Sequence, residues 1–399
     1  MLSDSSRDMA RNNYSMTLPK HSVEFVTDRD RLTEVALELQ SEPTIALDLE
    51  TDGLHHYPER VCLLQIASAD KIFLIDTIST VDLELLRAVL ASENVTKVFH
   101  GCDNDIRNLY KYWGLTVCSL FDTRVAAQYM GVTQFGLDSL ITQFLGKTIE
   151  KSKSVQRSNW GYRPLPERSL EYAADDVAYL FDLHFALKQK LEAMNRSAWV
   201  QEECLRLQDV RYRQTETDTA FLGVKGSHRL DSRGLAVLKC LYDLRETESL
   251  RRARPPFQVL LDETLSALAA TPDIDVFVSS DFENLSDGFK SDIDKALEAG
   301  KQAEPIVRPP LKRIRLDSGY AERLHQLKQW RRTIGEGLGL DPAIIWQMGS
   351  LEKIAKNPEK AAEEMRSPGV RAWQREEFGA SLEKHLQQSN TTENQSVTL

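Results

Sequence analysis

Apolar and polar positions along the first half of the chain follow two periods, a period of two that predicts strands and one near 3.6 that predicts helices. The plainest strand covers residues 45–49. There Leu47 and Leu49 share one face while Asp48 and Glu50 share the other, because side chains alternate along an extended chain. Strands and helices alternate around it, as in α/β domains. The other predicted strands cover 23–26, 60–67, 71–75 and 96–99, and the predicted helices cover 28–39, 82–91, 105–113, 122–129, 137–145 and 167–193.

The second half of the chain is predicted to be helical, and it repeats itself. The tetrapeptide Arg-Leu-Asp-Ser at 229–232 returns at 315–318, an offset of 316 − 230 = 86 positions. A long match in phase indicates two copies of one structural unit, here two small helical bundles. The offset also relates apolar positions, so that Leu238, Leu241 and Leu244 correspond to Leu324, Leu327 and Trp330.

These patterns divide the chain into three folded parts with polar ends. The first residues are polar and the last are of low complexity, so both ends are predicted to be disordered tails. The predicted parts are a tail over 1–20, an α/β domain over 21–200, a connector over 201–228, a helical domain over 229–304, a linker over 305–314, a second helical domain over 315–386 and a tail over 387–399.

Composition limits the classes of function. The 399 residues suit two or three domains, and contents of 41% hydrophobic and 28% charged residues are ordinary for a globular protein. A net charge of −10 means that the molecule as a whole is not a basic nucleic-acid binder, so any such surface must be local. The chain starts without the apolar core of a secretory signal and contains no long uncharged apolar run, so we expect no membrane partner. Five scattered cysteines favour reduced thiols and a cytoplasmic location.

Local basic clusters nevertheless stand out. Residues 308–334 carry eight basic and two acidic side chains, a balance of 8 − 2 = +6. Residues 251–254 form a second cluster, and four cations surround Trp160 in the predicted loop 147–165. These features are either solvated faces and a connector with a packed tryptophan, or contacts to phosphates and a base. The candidate nucleic-acid-binding residues are Lys153, Arg157, Trp160, Arg163, Arg251, Arg252, Arg254, Arg313, Arg315, Arg331 and Arg332.

Acidic residues in three separate stretches are the candidate chemistry. Asp48 and Glu50 share one strand face, Asp105 lies near the start of a predicted helix, and Tyr172 and Asp176 lie one helical turn apart. A lone Asp-x-Glu often only ends a strand in solvent. Carboxylates held close together need a shared proton or cation, and oxygen ligands suit Mg²⁺ or Mn²⁺. We therefore expect a metal site if the fold brings the three stretches together.

Two nearby residues are given lesser roles. His100 and Cys102 could suggest zinc, but no second pair of ligands follows them in the sequence. We expect His100 to be a buried histidine that shapes the end of the sheet.

The ordered acidic motifs resemble those of the DEDD exonucleases, and the tyrosine resembles that of their DEDDy branch. Asp48 and Glu50 match the first motif of that family, Asp105 the second, and Tyr172 with Asp176 the third. The resemblance implies that all five residues are catalytic and that Asp48, Glu50, Asp105 and Asp176 hold metal.

The segment before the third motif resembles the ribonuclease D family more specifically. It reads Gln-Arg-Ser-Asn-Trp at 156–160, Arg-Pro-Leu at 163–165 and Tyr-Ala-Ala at 172–174. Asn159 stands where that family usually has aspartate. The first helical copy, with its Arg-Pro-Pro-Phe-Gln-Val-Leu segment at 254–260, resembles the HRDC domain that accompanies this family, and the second copy is similar but more divergent.

This resemblance implies a fold and an activity. The fold is an α/β ribonuclease-H-like exonuclease domain, a mixed sheet flanked by helices, followed by two small all-α HRDC-like bundles. The activity is 3′-5′ exoribonuclease hydrolysis with two divalent cations, Mg²⁺ or Mn²⁺, roughly 3.5–4 Å apart, and with Tyr172 orienting the attacking water. The implied partner is RNA with a free 3′ end, such as a tRNA precursor.

Three alternatives remain at this point. The chain could be a catalytically silent nucleic-acid-binding scaffold, although its carboxylates are intact. It could be a DNA-directed 3′-5′ exonuclease, because the same site cleaves either sugar and the choice depends on contacts to the 2′-hydroxyl. The helical repeats could also bind a protein partner instead of nucleic acid.

Overall fold

The computed structural model describes residues 15–18, 21–79, 82–149, 151–213, 217–272, 282, 285–309 and 316–396. In these residues a mixed sheet has the strand order β1-β2-β5-β4-β3-β6-β7. β3 is the fifth of the seven strands counted from β1 and the third counted from β7, and it pairs antiparallel with β4 and parallel with β6. The strands are β1 (Ser15–Leu18), β2 (His21–Val26), β3 (Thr44–Thr51), β4 (Val61–Ala67), β5 (Lys71–Asp76), β6 (Thr96–Phe99) and β7 (Leu120–Asp122).

Helices flank this sheet, as expected for the α/β part. β4 is buried at every position, which explains why its sequence is an apolar run without alternation. Helices α7 and α8 pack against β3 and its neighbours. The helices of the first half are α1 (Arg29–Gln40), α2 (Arg87–Ala91), α3 (Asp103–Trp113), α4 (Thr123–Tyr129), α5 (Leu137–Leu145), α6 (Lys153–Gln156), α7 (Glu167–Ala178), α8 (Leu180–Ala193) and α9 (Ser197–Gln208).

The second half is helical and follows the predicted repeat. The short helix α12 and its counterpart α16 both start with proline at the first or second helical position, where a missing N–H does no harm. The bounds of α12 and α16, and those of α13 and α17, differ by 86 positions at both ends (342 − 256, 345 − 259, 348 − 262 and 356 − 270). The helices are α10 (Thr217–Ala220), α11 (Ser232–Arg252), α12 (Pro256–Val259), α13 (Asp262–Ala270), α14 (Asp287–Gln302), α15 (Tyr320–Leu338), α16 (Pro342–Ile345), α17 (Met348–Lys356), α18 (Ala361–Met365) and α19 (Ala372–Ser396).

The two helical copies differ in how they join the rest of the molecule. The first copy has a hydrophobic core of its own, whereas the core of the second is continuous with that of the α/β domain. Trp373 stacks on Trp199 of α9 with ring centroids 4.5 Å apart. Glu202 accepts hydrogen bonds from the backbone N–H groups of Ala372 and Trp373, at 2.9 and 3.2 Å. The second copy is therefore an integral part of the α/β domain's core.

The first copy instead meets the α/β domain through polar contacts near the end of β3. The Tyr57 hydroxyl donates to Glu246 at 2.5 Å, and the Tyr57 N–H donates to the Ala253 carbonyl at 3.3 Å. The Gln258 side-chain amide donates to the Leu54 carbonyl at 2.7 Å. The loop that follows β3 thus touches the first helical domain directly.

Several predicted boundaries need correction. The predicted tail 1–20 includes β1, which pairs with β2, and the predicted tail 387–399 includes helical backbone as far as Ser396. The boundary at 200 falls inside α9, so part of the predicted connector belongs to the α/β domain. The helix predicted over 167–193 is two helices, with a break at Tyr179.

In the parts of the chain that the structure describes, every helix is too short or too polar to span a bilayer.

Candidate active site

Strand β3 presents the first two carboxylates. Its core face buries Leu47 and Leu49, so Asp48 and Glu50 project from the opposite face and are half-buried. The register with β4 shifts between Glu50 and Thr51, an irregularity of the kind that redirects side chains beside active sites. The alternation read from the sequence is confirmed.

Helix α7 supplies the third carboxylate and the tyrosine. Asp176 and Tyr172 lie one turn apart on its buried face, and the Tyr172 hydroxyl donates a hydrogen bond to Asp176. One oxygen each of Asp48, Glu50 and Asp176 can lie within 4.8 Å of the others. Two elements that are far apart in sequence (176 − 48 = 128 positions between the aspartates) therefore form one carboxylate cluster.

Asp105 is not among the three residues whose carboxylate oxygens converge. It is buried in the first turn of α3, where burial, then the charges of Asp122 and Asp103, raise its pKa to about 7. Its own charge is among the causes that raise the pKa of Asp48 and Glu50. The metal-ligand role predicted for Asp105 therefore stays a prediction, supported by the effect of its charge on the pKa of Asp48 and Glu50.

The electrostatics of the cluster favour a cation. Burial, followed by the charges of neighbouring carboxylates, raises the pKa of Asp48 and of Glu50 well above the ordinary range. Burial also raises the pKa of Asp176, against the opposing effect of Lys151. Carboxylate oxygens that repel one another in a confined site are a donor set suited to a hard divalent ion. The residues present therefore fit a divalent metal ion.

The tyrosine is held in its neutral form. Burial, followed by the charges of Asp176, Glu50 and Asp48, raises the pKa of Tyr172 far above its ordinary value. The Trp160 ring packs near the Tyr172 ring, with centroids 6.2 Å apart and planes at 49°. Tyr172 can therefore donate a proton in a hydrogen bond, and Trp160 limits where its ring can move.

Basic side chains complete a pocket of about 460 Å³ over the cluster. Lys151 forms an ion pair with Asp176, with 2.7 Å between Nζ and Oδ1, and Arg124 and Lys153 also line the pocket. Sequence analysis placed Lys151 in the basic loop without assigning it to the site, and it missed Arg124. The signal for Lys151 was its basic neighbourhood, but no local spacing relates it to Asp176.

His100 lines the same pocket in the structural role that the sequence predicted. Its Nδ1 lies 2.9 Å from the Thr123 hydroxyl, and burial lowers its pKa to about 4. A neutral, hydrogen-bonded ring of this kind adds no charge to the site.

Two of the residues predicted to contact nucleic acid are instead packed or hydrogen-bonded within the protein. Trp160 is 1% exposed and cannot present its face to a base. Arg163 donates to both carboxylate oxygens of Asp76, at 2.8 and 2.6 Å, and to the Cys62 carbonyl at 2.8 Å. The interpretation of the 147–165 segment as a loop with a packed tryptophan is therefore correct at these two positions. Asn159 accepts a hydrogen bond from the Gly161 N–H at 3.0 Å, which an aspartate could accept equally well.

Three further arginines that were predicted to contact nucleic acid instead bind other groups of the protein. Arg251 and Arg252 both donate to Glu248, at 2.6 and 2.5 Å, so their charge is partly neutralised. Arg331 donates to the Trp346 carbonyl at 3.1 Å. Arg313 and Arg315 lie outside the described residues. Of the predicted set, the exposed side chains not fixed by an ion pair in the described structure are Lys153, Arg157, Arg254 and Arg332.

A mixed sheet with helices on it, two carboxylates on its central strand and a tyrosine-carboxylate pair on a facing helix define a 3′-5′ exonuclease of the DEDDy type. A family model described as 3′-5′ exonuclease matches residues 23–192, and the HRDC domain model matches residues 321–384, the second helical copy.

Comparison with curated proteins identifies the family, and the chain belongs to the ribonuclease D family. It is 32% identical to ribonuclease D of Acidiphilium cryptum over 269 residues, which cover 66% of this chain and 67% of that protein. It is 26% identical to ribonuclease D of Bartonella henselae over 388 residues, covering 95% and 94%. The predicted resemblance to this family is confirmed, but the HRDC model matches the second helical copy, which the sequence had indicated as the more divergent of the two.

A solved structure supports the fold over nearly the whole length. The crystal structure of Escherichia coli RNase D, described as an exoribonuclease involved in structured RNA processing, aligns with a TM-score of 0.67 at 23% identity. The alignment covers 92% of this chain and 99% of that one. The predicted order of an exonuclease domain and C-terminal helical domains is therefore confirmed.

Proposed function

We propose that the protein is a hydrolase that removes nucleotides from the 3′ end of RNA. The observation that carries this proposal is the cluster of Asp48, Glu50 and Asp176 under Tyr172, in a chain of the ribonuclease D family. The catalytically silent scaffold is disfavoured because the three acids converge in a pocket and keep raised pKa values. Acids that merely end strands in solvent have neither property.

We propose that two divalent cations, Mg²⁺ or Mn²⁺, work in this site. Asp48, Glu50 and Asp176 would hold them, and Asp105 would join from its buried position beside the cluster. When bound, the cations activate the attacking water and stabilise the charge of the leaving 3′ oxygen. The carboxylates hold the ions and are spared their mutual repulsion.

Tyr172 orients the attacking water by hydrogen bonding. Its raised pKa keeps the phenol protonated at neutral pH, so it is a poor general base by itself. Its ring is held between the cluster and Trp160, so the hydroxyl has a defined direction. Replacement of this hydroxyl should therefore lower the rate of the chemical step more than substrate binding.

The exposed cations near the pocket are proposed to contact the RNA backbone. Lys153 lines the pocket, and the backbone carbonyl of Arg157 binds His55 on the loop that touches the first helical domain. Arg254 lies on the same side of that junction, since Gln258 contacts both Arg254 and Leu54. These contacts connect the pocket with the first helical copy. Arg332 would add a contact on the second.

The proposed substrate is RNA with a free 3′ end, in particular a tRNA precursor whose 3′ extension must be trimmed. Such structured RNA has phosphates that can reach the helical domains while the end enters the pocket. We also propose a cytoplasmic location, which agrees with five cysteines that are all free thiols in the structure.

A tRNA precursor with a short 3′ extension tests this proposal, with the same RNA carrying a blocked 3′ end as control. We expect Mg²⁺-dependent shortening of the free RNA up to the acceptor stem and no shortening of the blocked RNA. Degradation of the blocked RNA would contradict an exonuclease. Faster shortening of a DNA of matched sequence would point to DNA as the substrate.

A further inference from the structure

The ammonium group of Lys151 lies among the carboxylates that this family uses to hold metal. Its Nζ is 2.7 Å from Asp176 Oδ1 and 5.8 Å from the centroid of the Tyr172 ring. The side chain is 29% exposed, while that of Asp176 is 6% exposed, so the ion pair closes the cluster from its solvent side. An ammonium and a divalent cation can both neutralise these carboxylates, and the Lys151 ammonium is placed to do so through Asp176.

The pair is specific to Lys151. Lys153 lines the same pocket, but among the described residues no ion pair joins it to the cluster. Lys151 is also the one cation that recurs among the causes that oppose the raised pKa of Asp48, Glu50 and Asp176. It is therefore the internal charge that reduces repulsion within the carboxylate cluster.

Lys151 and a metal ion at Asp176 would compete in this geometry. A divalent ion bound by an Asp176 oxygen would lie within a few ångströms of the ammonium, and like charges at about 4 Å repel by several kcal/mol in a partly screened site. Lys151 belongs to the segment between α5 and α6, at the pocket's open edge, and its long side chain can turn away into solvent. The exchange therefore needs a side-chain movement and no change of fold.

We propose that Lys151 is an internal counter-cation that occupies the metal site of the metal-free protein and releases Asp176 when a divalent ion binds. The proposal rests on the metal site of the proposed function. It gives Lys151 a role in tuning metal affinity, since each metal ion that binds must first displace the ammonium. Before metal binds, the ion pair then reduces the repulsion among the carboxylates.

Calorimetric titration of Mn²⁺ into the full-length protein tests this exchange without any RNA present. We expect Lys151→Met and Lys151→Gln to lower the Mn²⁺ dissociation constant by about tenfold, because the competing charge is gone. The matched control Lys153→Met removes an equal charge from the same pocket and should change the constant much less. An unchanged or raised constant in both Lys151 variants, or an equal effect of Lys153→Met, would overturn the proposal.

Chemical labelling of the unmutated protein provides a second measurement that needs no variant to fold. A lysine-acetylating reagent followed by mass spectrometry should modify Lys151 slowly in chelator and several-fold faster with saturating Mn²⁺, while labelling of Lys153 stays constant. Equal labelling of Lys151 in both conditions would contradict the displacement. If the unmutated protein binds no Mn²⁺ in the titration, the metal site and this inference both fail, whereas binding without a Lys151 effect defeats this inference alone.

Discussion

Arg245 and Arg331 make the same contact in the two helical copies. The Arg245 guanidinium donates to the Leu260 carbonyl at 3.2 Å, and the Arg331 guanidinium donates to the Trp346 carbonyl at 3.1 Å. Donors and acceptors are each 86 positions apart (331 − 245 and 346 − 260). In each copy, the arginine on the long helix donates a hydrogen bond to the residue that follows the short proline-initiated helix. The same hydrogen bond is therefore present in both repeats.

This repeated hydrogen bond predicts different roles for the two neighbouring arginines, Arg331 and Arg332. Arg331→Ala should lower the free energy of unfolding by about 1–3 kcal/mol, because it leaves a carbonyl without its charged donor. Arg332→Ala removes an exposed charge and should leave stability within about 0.5 kcal/mol while weakening RNA binding. Urea unfolding and RNA binding at two salt concentrations measure both effects. Equal losses of stability would show that Arg331 has no special structural role.

The shared core predicts that the second helical copy unfolds together with the exonuclease domain. Trp373 packs with Trp199 and Phe378 in one aromatic cluster, so Trp373→Ala should destabilise the sheet as well as α19, by about 3–5 kcal/mol. The first copy has a separate core and should open on its own. Native-state hydrogen exchange distinguishes these units. The prediction is wrong if α15 and α17 exchange more readily than the sheet while α11 and α13 do not.

The pKa of Asp105 predicts how the metal-free protein responds to pH. Its pKa is raised to about 7 in the folded state, so between its ordinary value and pH 7 the folded protein binds more protons than the unfolded one. Stability must therefore fall as pH rises through that range. Asp48, Glu50 and Asp176 contribute a slope of the same sign, because their pKa values are raised too. Asp105→Asn should therefore reduce this slope and raise the free energy of unfolding at pH 8, at about 1.4 kcal/mol per pKa unit. Denaturation in chelator from pH 4 to 8 measures the slope, and a steeper slope in the variant would contradict the assignment.

The packing of Trp160 behind Tyr172 predicts a catalytic defect at a residue that does not touch RNA. Trp160→Ala should lower kcat through loss of the Tyr172 position, and it should also destabilise the fold by about 3–5 kcal/mol. Trp160→Phe keeps an aromatic ring there and should recover most of the rate. Arg157→Ala is the matched variant on the same loop and should raise KM with little change in kcat. A raised KM and an unchanged kcat in Trp160→Ala would instead support the base contact that the sequence suggested.

The parts of the fold that sequence predicted are those with local signals. Alternation placed Asp48 and Glu50 on one strand face, and four-residue spacing placed Tyr172 and Asp176 together. The neutralisation of Arg251 and Arg252 also had a local signal, because Glu248 lies three and four residues before them on one helix. The spacing of Glu248 from the two arginines in the sequence therefore favours ion pairs within the helix over the predicted role as phosphate ligands.

Other features had no local signal. Arg163 and Asp76 are 87 positions apart (163 − 76), and Lys151 and Asp176 belong to different elements, so tertiary packing alone brings each pair together. The shared core of the second copy depends on which surface of α9 remains apolar after the sheet is covered. A helical repeat in the sequence shows two similar units, but it does not show that one of them shares a core with its neighbour.

The central claim is metal-dependent removal of nucleotides from RNA 3′ ends by the carboxylate cluster. The most direct measurement is degradation of 5′-labelled single-stranded RNA in Mg²⁺ or Mn²⁺ by the unmutated protein beside Asp48→Asn, with RNA binding measured for both. The account predicts a ladder that shortens from the 3′ end, requires metal and is lost in Asp48→Asn while RNA binding persists. A protein that binds RNA but yields no ladder in either metal, or a ladder unchanged by Asp48→Asn, would contradict it.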